Sequence, residues 1–235
     1  MDKISEIRKA EALSHIETYS THELFKEGSW LAKPVKTVME LLPFFNGYDN
    51  FRALDLGCGI GRNSIPVAQA LSTVPCHIDS VDLLEIAIVK LNENAKKYGV
   101  EKSIIGIVSS IDDYIIDANR YDLIMSISAL EHVDSKQAFV RKLEQIHKGI
   151  KPDGIVCLIM NTSVKEHDKE TGIELPAQFE VELETTECRG FFEQFFGKWE
   201  TIKDTVVRQK YDVPRENGMA ELESDVVTFV ARRIA

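Results

Sequence analysis

Ala53-Leu54-Asp55-Leu56-Gly57-Cys58-Gly59-Ile60-Gly61-Arg62-Asn63 decides how the rest of this chain is to be read. A short apolar run enters a cluster of three glycines, and an apolar helical pattern (Ile65, Val67, Ala68, Leu71) leaves it. Glycine lets a backbone turn tightly between a strand and a helix, and lets a ligand approach with no Cβ in the way. The helix N-terminus beyond it offers unpaired N–H groups and a partial positive charge. Asp82 closes the next strand pattern, 21 residues after Gly61. An acid there is suited to accept hydrogen bonds from ribose hydroxyls. The spacing is G-x-G-x-G, with Arg62 where the third glycine of a dinucleotide fingerprint would stand, which argues against NAD. These residues therefore predict a site for a cofactor containing a nucleoside.

Outward from the loop, strands and helices alternate. Strands are predicted at about 76–81, 104–108, 121–127 and 154–160. A helix with Leu84, Ala87, Ile88 and Leu91 on one face ends near Gly99, and an amphipathic helix runs from Asp134 to Lys148 with Asp134 or Ser135 as cap. Alternation of this kind predicts right-handed crossovers and a parallel sheet covered on both faces. Ile155-Val156-Cys157-Leu158-Ile159 is near-continuously apolar, as buried parallel strands are. Residues 1 to about 50 read as helical, broken at Gly28-Ser29. Residues 161 to 190 read as polar and irregular, with one period-2 stretch at Phe179–Leu183. Aromatic residues 191–199 suit a helix packed on the sheet. Strand patterns at 201–208 and 225–231, joined by a turn-rich loop at 214–218, predict an antiparallel pair closing the sheet.

Bulk properties narrow the class. Hydrophobic residues make up 44% and charged residues 28%, enough for one large core. A formal net charge of −10, with basic residues running no longer than pairs, is unsuited to a phosphate backbone, so no nucleic-acid partner is expected. The charged N-terminus has no apolar signal-peptide core, and the apolar stretch at 154–160 is too short to span a bilayer. Cys58, Cys76, Cys157 and Cys188 have no metal-type spacing and read as buried, reduced thiols. A cytoplasmic protein with no membrane partner and no metal follows as the expectation; the oligomeric state does not follow.

The segment Ala53–Asn63 resembles the first motif of class I S-adenosylmethionine-dependent methyltransferases. Val81-Asp82 is similar to their second motif, Tyr121–Ser126 to their fourth, Leu130-Glu131-His132-Val133 to the segment after it, and Ile150–Gly154 to the turn before strand five. The resemblance covers about residues 50–160, in order. The last third is loosely similar to tellurite-resistance-type and metabolite methyltransferases. The resemblance implies a three-layer α/β sandwich of Rossmann-like type. Its sheet would have seven strands, mostly parallel with one antiparallel. Residues 1–48 would form a helical cap, and residues 49–235 the catalytic domain, with a substrate-side insertion at about 161–190. It implies S-adenosylmethionine held by Asp55, Gly57, Cys58, Gly59, Gly61, Asp82, Leu83, Ser110, Ile111 and Ser126. Asp55 would order the loop and face the methionine amino group, and Ile111 would present its N–H to adenine. The family often has Asp where this chain has Ser110.

The implied reaction moves the sulfonium methyl to a small-molecule oxygen, nitrogen or sulfur nucleophile, largely by in-line positioning. A general base is needed where the acceptor must lose a proton. His132, just after the fourth strand and with a suitable intrinsic pKa, is the candidate, against the plainer role of bonding backbone. Glu131 reads as a solvated or structural acid, His15 and His22 as surface residues of the cap, and Tyr19 and Trp30 as walls of an acceptor pocket or ordinary packing. The Asn/Asp-Pro-Pro-aromatic signature of nucleic-acid amino-methylating enzymes is absent at Asn161–Val164. Two rivals stand beside this reading. One is another enzyme on the same scaffold, which would need a different loop or more site acids. The other is a non-catalytic S-adenosylmethionine-binding protein whose acceptor face binds a partner.

Overall fold

The computed structural model describes residues 3–215 and 218–234, with side chains described outside 3–6 and 10–11. The chain begins with α1 (Lys3–Thr21), a 3₁₀ turn at Trp30–Ala32, α2 (Lys36–Glu40) and a second 3₁₀ turn at Leu42–Phe45. The expected break at Gly28-Ser29 lies between α1 and the first turn, where Gly28 has φ +115°. From Phe51 the alternation begins: β1 (Phe51–Leu56), α3 (Ser64–Ala70), β2 (Cys76–Asp82), α4 (Glu85–Lys97), β3 (Ile104–Val108), β4 (Tyr121–Ile127), α5 (Lys136–Gly149) and β5 (Ile150–Asp168). A two-residue β6 (Glu174–Leu175), α6 (Thr185–Phe196), β7 (Glu200–Arg215) and β8 (Gly218–Arg232) complete it.

Local chemistry sets the helix ends. Ser135 caps α5 by accepting the Ala138 N–H at 3.1 Å. Glu85 in the first turn of α4 and Lys96 and Lys97 in its last match the helix dipole, and Gly99 follows in the left-handed region at φ +71°.

The sheet order is β3-β2-β1-β4-β5-β8-β7. β1 to β5 pair in parallel, and β8 runs against β5 and β7. This is the expected seven-stranded, mostly parallel sheet with one antiparallel strand; β6 adds a short pairing to β5 off that path. Alternate residues of each strand face opposite layers. Ala53, Leu123, Met125 and Cys157 pack with α3, α4 and Leu31, Val38 and Phe45 of the N-terminal segment. Leu54, Ile124, Val156 and Leu158 pack with α5 and α6. The aromatic residues Phe192 and Phe196 of α6 are buried against Phe139 and Phe229, as a core helix requires. Among the described residues no helix is long and apolar enough to cross a membrane.

Residues 161–190 depart from the expected irregular stretch at both ends. β5 continues to Asp168, and α6 starts at Thr185. The sequence there lacks an apolar period because both faces of the extension are polar. Glu166, only 1% exposed, takes a two-pronged ion pair from Arg215, at 2.5 and 2.7 Å, and Ser224 donates to Asn161 at 3.0 Å. The extensions of β5, β8 and β7 thus form a ribbon standing beyond the carboxyl edge of β4. The period-2 stretch 179–183 joins no strand. Its Val181 and Leu183 are buried, and the Val181 N–H donates to the Glu131 carbonyl at 2.9 Å. Lys151–Gly154 is a bulge within β5, with Asp153 at φ +66°.

Phe192 is almost wholly buried between α5 and β8. Phe192→Ala is expected to cost about 3–5 kcal/mol. Urea unfolding checks this, and a loss under about 1 kcal/mol would mean that the aromatic layer is not part of the cooperative core.

Candidate active site

The carboxyl ends of β1, β2, β3 and β4 meet at one edge of the sheet, where open α/β folds bind ligands. The glycine loop leaves β1 there. Its first two N–H groups, those of Gly57 and Cys58, both donate to the Val81 carbonyl on β2, at 2.9 and 3.0 Å. The Gly61 N–H donates to Cys58 O at 3.1 Å and closes the turn. Gly57 has φ +76°, and a Cβ there would lie 2.3 Å from that of Ala129, in the segment after β4. Gly59 has φ +52°, and a Cβ there would lie 2.9 Å from the Tyr19 hydroxyl of α1. The loop is thus a cradle that side chains would fill, with the β4 segment on one side and the cap on the other.

Asp82 ties this loop to β2. One carboxylate oxygen accepts the Gly59 N–H at 2.8 Å, and the other accepts Leu84 N–H at 2.9 Å. Burial raises its pKa, opposed by those two N–H groups and by the charge of His15. A carboxylate offers about four acceptor sites, so two remain for a ligand. Leu83 beside it is exposed.

Asp55 at the end of β1 is only 1% exposed. Ser64, in the first turn of α3, donates to it at 2.5 Å, and Ser80 lies 3.2 Å from Ser64. Burial pushes the Asp55 carboxyl up to about 7, against the Ser64 hydrogen bond and with the Asp82 charge adding to the rise. Cys58 is buried too, and burial beside Asp82 and Asp55 drives its thiol well above the ordinary value, so it is an unreactive neutral group.

Ser110 follows β3, next to Asp82 through the Ser109 N–H to Asp82 O bond at 3.0 Å. The Ser110 hydroxyl caps its own turn: it donates to Asp113 at 2.7 Å and accepts the Asp113 N–H at 3.0 Å. Ile111 packs against the α5 side of the core. Ser126 is fully buried at the end of β4, in register with Leu56, whose carbonyl it approaches at 3.4 Å.

The segment after β4 forms a 3₁₀ turn, Leu130–His132. Glu131 is fully buried, which excludes the solvated role. One of its oxygens accepts both N–H groups of Asn161, at 3.1 and 2.8 Å, while the other has no hydrogen-bond partner among the described residues. Burial raises its pKa against the charge of His132 and the Asn161 bonds. His132 is partly exposed. Its Nδ1 lies 2.8 Å from the Glu180 carboxylate, and its ring stacks on Phe179 at 5.3 Å between centroids and 17° between planes.

The cap residues divide differently from the sequence expectation. Tyr19 stands over the glycine loop, and it packs with His15 and Trp30 in an aromatic cluster. The Arg62 guanidinium lies 5.4 Å from the Trp30 ring centroid. His22 is half-buried and bonded to Thr21. Sequence reasoning missed Ser64, Asn161, Arg8 and Glu180. Ser64 follows the Asp55 loop directly and was legible as a possible partner. Arg8 and Glu180 belong to segments without a motif. Among the described residues no group of three or more His, Cys, Asp or Glu is arranged to hold a metal ion.

Comparison with known proteins agrees with this geometry. Residues 53–154 match the model of a methyltransferase domain. A ubiquinone biosynthesis O-methyltransferase of Rickettsia canadensis is 26% identical over 121 residues, 52% of this chain and 47% of that protein. A carboxy-S-adenosyl-L-methionine synthase of Shewanella pealeana is 23% identical over 169 residues, 72% of this chain and 66% of that one. This chain therefore spans about half the length of the O-methyltransferase that it matches. TehB from Haemophilus influenzae superposes with a TM-score of 0.64 at 19% identity, covering 85% of this chain and 62% of that one, a likeness of fold. Residues 53–154 thus match a methyltransferase domain and carry a Rossmann-like sheet with the glycine loop and Asp82 at its carboxyl edge.

Proposed function

We propose that this chain transfers a methyl group from S-adenosylmethionine to a small-molecule acceptor bearing an oxygen, nitrogen or sulfur nucleophile. The observation that carries the reading is the convergence of the glycine cradle, Asp82 and the His132 turn at the carboxyl edges of β1, β2 and β4. Bound there, the cofactor supplies an electrophilic methyl on a sulfonium. The remaining acceptor sites of Asp82 suit ribose hydroxyls. The Ile111 N–H, with Ser110 already committed to Asp113, is the group offered to adenine. Asp55 answers the methionine ammonium. Gly57, Cys58, Gly59 and Gly61 let the chain run close to the ligand, and Leu83 and Ser126 border it.

The acceptor side is built from the cap, residues 1–48, and from the segment 161–190 with its ribbon. His132 lies between these and takes a proton from an acceptor that must lose one. The O-methyltransferase names of relatives support oxygen among the acceptors. The acidic balance of the chain supports a small molecule over nucleic acid. Four buried free thiols support a reducing, cytoplasmic setting.

Three measurements test this. Calorimetry with S-adenosylmethionine is expected to show at least tenfold weaker binding to Asp82→Ala than to the parent, about 1.5–3 kcal/mol for bonds to a charged group. Equal binding by the two proteins would remove the cofactor assignment.

Turnover of methyl-labelled cofactor across hydroxyl, amine and thiol acceptors is expected to fall about 10²–10⁴-fold in His132→Asn for acceptors that must lose a proton. Binding without transfer to any acceptor would favour the non-catalytic module.

The third concerns Asp55. Its folded-state pKa of about 7 lies above the ordinary 3.8, so the folded protein holds this proton more tightly than the unfolded chain. That stabilisation is full below about pH 4 and is lost as pH rises to about 7. Relative to Asp55→Asn, the ligand-free parent should therefore lose stability across this window. Parallel stability curves for the two proteins would refute the assignment.

A further inference from the structure

β7 ends the sheet, with β8 on one side and, among the described residues, no strand on the other. The inner strands of the same ribbon are covered: Ala220, Leu222 and Ser224 of β8 are buried, and so is Glu166 of β5. On β7 every residue from Asp204 to Asp212 is exposed, so side chains of both faces meet solvent there. Val206 and Val207, on opposite faces, are 40% and 54% exposed, and Tyr211 is exposed near them. Sheet edges are commonly blunted by a short strand, a bulge, a proline or a row of lysines. β7 is 16 residues long. Its register shift lies at Thr201/Lys203, and Pro214 comes after the exposed stretch. Its charges are of mixed sign: Lys203, Asp204, Arg208, Lys210 and Asp212.

We propose that the outer edge of β7 pairs antiparallel with the β7 edge of a second copy of this chain, about a two-fold axis at Val207. Val207 then meets its own counterpart, Val206 meets Arg208, Thr205 meets Gln209, Asp204 meets Lys210 and Lys203 meets Tyr211. The charges select this register. An axis moved to Val206 sets Asp212 against Glu200. One moved to Arg208 sets Arg208 against itself and Asp204 against Asp212. Like charges directly opposite each other are destabilising. An axis between two residues would set groups that bond outward against groups that bond inward to β8. With the axis at Val207 no like charges face each other, and the Asp204–Lys210 pair occurs twice.

Within one chain Asp204 receives Arg189 of α6 at 2.5 Å, and Lys210 reaches Glu221 and Glu223 at 2.8 and 3.0 Å. A carboxylate and an ammonium both keep hydrogen-bonding capacity beyond these contacts. Exposed ion pairs add little energy, so their part is to set the register. The backbone ladder and the exposed valines supply the association. Two-fold pairing uses the same edge of both copies and closes on itself, which gives a dimer and not a fibre.

Sedimentation velocity on the full chain tests the pairing. At about 100 μM, above the micromolar dissociation constants of modest interfaces, the chain should sediment as a dimer that dissociates on dilution. A monomer throughout would overturn the proposal and leave the edge to a partner of another kind. Val207→Lys puts like charges on the axis at an exposed position. It should weaken the dimer by about tenfold or more, with circular dichroism unchanged. An equally stable dimer in this variant also overturns the proposal, because the contact then lies elsewhere. Oxidation of Val207→Cys with diamide reads the register. Residues that face each other across an antiparallel pair have Cα atoms about 4.5–5.5 Å apart, within disulfide reach. A covalent dimer is expected on a non-reducing gel. The parent, with its buried thiols, and Asp212→Cys should both stay uncrosslinked. Cross-linking at 212 as fast as at 207 would refute the axis at Val207.

Discussion

One carboxylate and one carbonyl at the end of β2 hold the centre of this molecule. Asp82 takes the Gly59 N–H, and Val81 takes those of Gly57 and Cys58. A glycine-rich loop loses more conformational entropy on ordering than any other sequence would. Three hydrogen bonds to the end of a largely buried strand offset that loss and give the loop one shape. The other parts of the site then have fixed neighbours. Ala129 can approach Gly57 because the loop lies where β2 holds it, and Tyr19 can close over Gly59 for the same reason.

Buried carboxyls surround this centre, and their environments separate them. Asp82 is met by two backbone N–H groups, Asp55 by a single serine hydroxyl, and Glu131 by one asparagine on one oxygen only. Glu180 faces an imidazole and a guanidinium. Burial penalises the ionised form in all four, and the number and charge of the donors decide which acid resists it. The result is a gradient along the sheet edge. Acids carrying a raised pKa lie beside the glycine loop and under the β4 turn, and one with a lowered pKa lies against a histidine and an arginine.

Most of the fold was legible because local signals agreed. Alternating strand and helix patterns from 51 to 160 fixed the parallel half of the sheet, and the late pair of strand patterns announced its antiparallel edge. The extension of β5 to Asp168 was not legible. Its stabilising groups are Glu166, Arg215, Asn161 and Ser224, polar residues that satisfy one another across strands far apart in sequence. No hydrophobic period can report such a ribbon. The convergence of Asp55, the glycines and Asp82 was legible from one motif and its spacing. Glu180 and Arg8 were not, because they meet across 172 positions and belong to segments with no pattern of their own. Tyr19 was picked out as a pocket wall, but only the packing of α1 against α4 sets it above Gly59.

The place of β8 has a consequence for how the chain is made. It lies between β5 and β7 and hydrogen-bonds to β5 from Ile155 to Asp168, yet its residues are translated more than fifty positions later. During N-to-C synthesis the glycine loop and five strands can assemble while the outer edge of β5, rich in Ile, Val and Leu, still lacks its neighbour. An open apolar strand edge is a template for pairing with another chain. The nascent protein is thus most prone to association in the interval between emergence of Met160 and arrival of Val226, and a chaperone that shields strand edges would act in that interval.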